Sequence, residues 1–208
     1  MKYIFHPSSK VWPEIILLLE AVVLKWSVPI QKQLVGKWKF CGNYCKCLIV
    51  ENIDHLNCLT MGREPCIRIF EECDQPASPN VEQYDNEFFR KMQQVIFGHA
   101  FEKLRSDIDG KWDKLKHEDY RSNWPGEVDF CYHIRNGVFH GNKFKITGTI
   151  HRDTQWRGAV ISEVLKGKQV MGLNDGFLGL ADVIALLYDL ENVVYREPMI
   201  PINRSTKI

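Results

Sequence analysis

Between Glu82 and Ile108 the chain repeats apolar side chains at three- and four-residue intervals: Phe88, Phe89, Met92, Val95, Ile96, Ala100, Phe101, Leu104 and Ile108. A helix turns once every ~3.6 residues, so this spacing lays an apolar stripe along one side and predicts a long amphipathic helix. That stripe needs partners, and two later segments supply them. Val128, Cys131, Tyr132, Ile134 and Val138 predict a second helix from about Val128 to His140, closed by Gly141 in the left-handed position that ends many helices. Phe177, Leu180, Val183, Ile184, Leu187 and Leu190 predict a last helix within "GFLGLADVIALLYDLENVV". Between them "KFKITGTI" and "AVISEVLKGKQVMGL" carry β-type runs, with Gly167 near a turn. This part therefore reads as mainly α, a small helical bundle with a β-hairpin before its last helix.

The N-terminal part is of a different kind. "DQPASPN", residues 74 to 80, has the composition of a linker and divides the chain into an extension of mixed α/β character at 1–78 and a helical domain at 79–208. "IILLLEAVVL" is half the ~20 residues a membrane span requires, so it predicts a buried helix opening at Ser9 or Pro13. No basic leader or small-residue cleavage site precedes or follows it, which favours neither a targeting segment nor a membrane partner. "KWKFC" and "YCKCLIVE" flank a hairpin turn at Gly42-Asn43, and "CIRIFEE" is a further strand candidate. Six of the seven cysteines (Cys41, Cys45, Cys47, Cys58, Cys66 and Cys73) fall in this part. Their odd total favours a reduced, cytoplasmic setting, and the absence of paired two-residue knuckles favours buried thiols over a zinc site. The net charge of +1 neither requires nor excludes a polyanionic partner, so any nucleic-acid site must be a local patch.

One stretch combines core-like and chemically active side chains: "HIRNGVFHGN", residues 133 to 142. On an ideal helix Arg135 and His140 lie about 140° apart, whereas Asn136 and His140 share a face. Two readings stay open on spacing alone. His140 is either a helix-end histidine near the partial negative charge of the C-terminus, with Arg135 on the surface, or both belong to an active site.

"RNGVFHG" resembles the signature of the HEPN superfamily (higher eukaryotes and prokaryotes nucleotide-binding): an arginine, a polar residue that is commonly asparagine, and a histidine after four to six positions. Arg135, Asn136 and His140 match those positions, and Gly141 matches a common following glycine. At average residue usage this pattern arises by chance in roughly one in a thousand chains of this length. The long helix before the motif and the hairpin after it extend the resemblance over residues 82 to 195.

The resemblance implies a metal-independent endoribonuclease with no cofactor, in a toxin–antitoxin or antiviral defence setting. The side chains suit that chemistry. RNA carries its own nucleophile, the 2′-hydroxyl. His140 would serve as base or acid, Arg135 as the phosphate clamp and Asn136 as an orienting residue, giving a 2′,3′-cyclic phosphate and a 5′-hydroxyl. The resemblance further implies a homodimer along the motif face, with the apolar residues of 128–140 and part of the last helix in contact, and an antitoxin as a possible partner. Some relatives keep the fold as non-catalytic binding or dimerisation modules, which is the alternative reading. One HEPN subset carries a tyrosine two positions after the histidine, where a partner nucleotidyltransferase modifies it. This chain has Asn142 there.

Lys143, Lys145 and Arg152, with Arg157, follow the motif as candidates for RNA phosphates, against the alternative of a solvated charged face. His133, two turns before His140, reads mainly as packing, and Trp124 and Trp156 as anchors ahead of base-stacking platforms. Cys131 shows no sign of an activated thiol.

Overall fold

In the computed structural model, residues 2–5, 8–26, 36–40, 42–45, 48–52, 67–71, 87–112, 124–147, 150, 154–172 and 176–195 are described. They form a mainly helical protein. The helices are α1 (Trp12–Trp26), α2 (Glu87–Trp112), α3 (Gly126–Phe139) and α4 (Leu180–Tyr195). Strands β1 (Lys2–Tyr3), β2 (Gly36–Phe40), β3 (Leu48–Asn52) and β4 (Ile67–Glu71) make an antiparallel sheet in the order β1-β4-β3-β2. A second, two-stranded sheet pairs β5 (Gln155–Trp156) with β6 (Ala159–Val160) between α3 and α4. Among the described residues no helix is long and apolar enough to cross a membrane.

Helix α2 is the spine, packing against α1, α3 and α4. Ile96, Ala100, Phe101, Leu104 and Ile108 bury as their spacing predicts, and Phe97, outside the predicted stripe, is fully buried as well. Met92 is partly buried, and Val95 is 67% exposed. Val95 lies with His99, Glu102 and Ser106 on the exposed side of α2. Helix α4 is covered on nearly every side over its first three turns, from Leu180 to Leu190. Phe177 lies ahead of it, where its N–H donates to the Gln169 carbonyl, so the helix begins later than its apolar pattern suggests.

The hairpin before α4 is smaller than the β-type runs predict. Arg157 and Gly158 both take positive φ, at 46° and 83°, and close a two-residue turn whose twist suits paired strands. Glu163–Leu165 is a 3-10 turn rather than strand. The two β-type runs meet instead through backbone bonds, Phe144 N–H to Lys168 and Gly167 N–H to Phe144.

Three acidic side chains of α4 tie in other parts of the chain. Buried Asp182 accepts N–H bonds from Asn43, Tyr44 and Cys45, and also from Gly179 at the helix start. Residues 42–45 thus curl onto α4 within a longer connection between β2 and β3, rather than forming a tight turn at Gly42-Asn43. Glu191 accepts from the Ser9 hydroxyl and the Lys10 and Val11 N–H groups, capping α1 from the far end of the chain. Asp189 accepts from Trp156 Nε1 and Arg157 Nε, both at 2.9 Å. Arg157 also pairs with Glu71 on β4, which accepts the Tyr3 hydroxyl at 2.6 Å. Tyr3 in turn meets Tyr188 of α4 edge to face. Buried side chains from before and after residues 74–80 consequently belong to one apolar cluster. The linker-like stretch itself lies outside the described residues.

The pair of Arg157 with Glu71, with those of Lys103 with Glu14 and Lys10 with Asp107, makes stability sensitive to acid. Burial pushes the Glu14 and Glu71 carboxyls up, but hydrogen bonds outweigh it, from Lys103 and His99 at Glu14 and from Tyr3 and Arg157 at Glu71. Both end below the usual carboxylate range, as does Asp107 through its bond from Lys10. A carboxyl whose folded pKa is depressed contributes stability above its unfolded pKa and loses it as pH falls through the folded value. The thermal midpoint should therefore fall as pH drops below about 4.5, and Glu14→Gln should flatten that decline. A midpoint constant between pH 6 and pH 3.5, followed by circular dichroism, would contradict this.

Candidate active site

Helix α3 carries the motif at its C-terminal end. It buries Val128, Phe130, Cys131, Ile134 and Val138, and with them Asp129, His133 and Gly137, leaving Arg135, Asn136 and Phe139 towards the surface at its last turn. Arg135 and Asn136 are half-buried, and His140 is exposed as the helix-capping residue. The His140 N–H donates to the carbonyls of Asn136 and Gly137 at 3.1 and 3.2 Å. Gly141 then takes φ +74°, the left-handed conformation its place in the sequence predicts. That turn directs the chain away from the helix and leaves the His140 imidazole in solvent, with no side-chain hydrogen bond among the described residues.

Arg135 is held on three sides. Its Nε and Nη2 approach Glu102 Oε1 of α2 at 2.7 and 2.6 Å. Its Nη1 lies 3.3 Å from Asn136 Oδ1. Its guanidinium sits 4.5 Å above the ring centre of Phe139, one helical turn on. Phe139 is 57% exposed, and the tip of its ring rests on Gly98 of α2, where a Cβ would come within 2.9 Å. Gly98 thus leaves room for the Phe139 ring beside the crossing of α2 and α3 that joins Glu102 to Arg135. Arg135 and Asn136 are in contact, and His140 joins them through the backbone of the final turn.

The other candidates divide between the surface after the motif turn and the interior. Lys143 and Lys145 are exposed, alternating with buried Phe144 and Ile146, and both follow the motif turn directly. Arg152 lies outside the described residues. Arg157, taken with them as a phosphate candidate, is instead internal: Asp189 and Glu71 engage it, and burial is outweighed by those partners in raising its pKa. His133 faces the core, 3.7 Å from Asp129, which accepts the Thr154 hydroxyl at 2.6 Å. Trp156 and Trp124 are buried anchors. Cys45 and Cys131 are buried free thiols whose pKa values burial pushes up, as inert structural cysteines behave. The remaining five cysteines lie outside the described residues. Among the described residues no group of three or more His, Cys, Asp or Glu side chains is placed to hold a metal ion.

Two features of the site carry no sequence signal. Glu102 precedes Arg135 by 33 residues, and nothing in the spacing of α2 distinguishes it from any solvated glutamate. Asn142, in the position where one HEPN subset has tyrosine, is buried with φ +61°, and its amide bonds both the N–H and the carbonyl of Met171. It is a structural clamp between the motif turn and the segment before α4. Of the apolar residues expected in a contact between copies, Val128, Cys131, Ile134 and Val138 lie in the chain's own core, whereas Phe139 and, on the last helix, Tyr195 are exposed. No family model, curated protein or solved structure matches the chain.

Proposed function

We propose that the protein is a metal-independent endoribonuclease of the HEPN type, with its site at the solvent-facing end of α3. The observation that carries this reading is the grouping of a half-buried arginine, its asparagine neighbour and an exposed histidine on one closed helix end. In the proposed reaction the His140 imidazole takes the proton of a 2′-hydroxyl, whose oxygen attacks the adjacent phosphorus. The bond from phosphorus to the 5′-oxygen breaks, and that oxygen leaves with a proton returned by an imidazolium. Arg135 stabilises the charge on the phosphoryl oxygens, and Asn136 orients both the phosphate and Arg135. Lys143 and Lys145 extend the positive surface along the strand.

A HEPN-like bundle with a hairpin before its last helix is the fold this reading entails. The alternative, a non-catalytic nucleotide- or RNA-binding module, draws on the ion pair between Arg135 and Glu102, which neutralises the clamp in the isolated chain. Mixed single-stranded RNA incubated with purified protein in EDTA separates the two. Cleavage leaving 2′,3′-cyclic ends supports the nuclease, and binding without cleavage supports the module.

A homodimer along the motif face belongs to the same proposal. Its contact would centre on the exposed apolar residues Phe139 and Val95, since the inner residues of α3 are already used. Light scattering should give twice the chain mass for the wild type and the monomer mass for Phe139→Asp. A monomer at concentrations where cleavage is complete would refute it.

A further inference from the structure

We infer that Glu102 is a charge competitor that occupies the phosphate-binding edge of Arg135 and sets the affinity of the site for RNA, an inference that rests on the nuclease reading of that site. A guanidinium carries five N–H donors, and its Nε–Nη2 edge is the side-on fork that grips carboxylates and phosphates alike. Glu102 takes that edge here, with both contacts below 2.8 Å. Of the remaining donors, Nη1 faces Asn136, and Phe139 covers one face of the plane.

The charges around Glu102 are sorted so that Arg135 is its ion-pair partner among the described residues. Lys103 and His99, its neighbours on α2, both turn to Glu14 on α1. Arg135 and Glu102 keep side-chain exposures of 31% and 41%. At such exposure an ion pair is weak and a polyanion can reach it. A phosphodiester approaching Arg135 therefore meets a neutralised cation and must displace the Glu102 carboxylate to obtain a full positive charge. Glu102 raises the threshold for engagement: isolated phosphates are held poorly, whereas a strand that also contacts Lys143 and Lys145 supplies the further attraction needed to exchange partners.

Glu102→Gln keeps the size of the side chain and removes the charge. Its test uses a short single-stranded RNA with every 2′-hydroxyl methylated, which binds without being cleaved. Glu102→Gln should tighten its Kd about five- to tenfold near 0.1 M salt. It should also steepen the slope of log affinity against log salt by about 0.7, the increment for one more neutralised phosphate on a single strand. With unmodified RNA, KM should fall by the same factor while kcat stays within about twofold. In an Arg135→Ala background the gain should vanish, because no cation remains to be released. Unchanged or weaker binding by Glu102→Gln, an equal gain without Arg135, or no binding by either protein would each overturn the inference. Tighter binding with no cleavage by either protein would uphold it and sink the nuclease reading. Cleavage by the wild type without tighter binding by the variant would do the reverse.

Discussion

Arg135→Ala and His140→Ala are each expected to lower the rate of RNA cleavage at least about a hundredfold, the usual scale for losing a general base or a group that stabilises developing charge. The two losses should differ in character. In the proposed mechanism Arg135 acts on phosphate in both ground and transition states, so its removal should impair KM and kcat together. His140 there serves proton transfer alone, so its removal should lower kcat with binding of the methylated RNA preserved. Neither substitution should unfold the protein. His140 is exposed, and the Arg135–Glu102 pair is a partly exposed ion pair of small worth. Equal residual cleavage by wild type and both variants, at matched purity in EDTA, would mean that the activity comes from a contaminant.

Asp182→Ala is expected to destabilise the protein by about 3–5 kcal/mol, the range for removing one partner of a buried, charged hydrogen-bond set. Asp182 is fully buried, and its two oxygens accept from four backbone N–H groups, three of them in the 42–45 segment. Alanine would strand the Cys45 and Gly179 donors in the interior, while those of Asn43 and Tyr44 can turn to water because that end is open. It would also remove the acid that reaches back to the start of α4, one half of a capping box. Asp182→Asn should cost less, since one oxygen remains an acceptor although the amide now points donors at donors. Urea unfolding checks both. A change below about 1 kcal/mol for the alanine variant would show that the connection between β2 and β3 does not depend on this carboxylate.

Helices α2 and α3, the left-handed closure at Gly141 and the strand pair β2–β3 could all be read from the sequence, because their causes are local. Apolar spacing selects a helix side, and a glycine permits positive φ, whatever the rest of the chain does. The Arg135, Asn136 and His140 grouping could be read for the same reason, lying within six consecutive residues. The burial of α4 on nearly all sides could not, because its polar positions are occupied by acids whose partners stand far off in sequence: residues 43–45 for Asp182, Arg157 for Asp189 and residues 9–11 for Glu191. An aspartate that binds backbone N–H groups more than 130 residues away looks, in sequence, like one that faces water. Arg157 misled in the same way, since a basic residue in a hairpin turn carries no mark of the acids it will meet. The sequence alone thus determined the helical class and the chemistry available at one helix end, through short-range periodicity and conformational preference. Which charges are spent internally, and which remain for a ligand, was decided only when tertiary packing brought α2 against α3 and set Glu102 on Arg135.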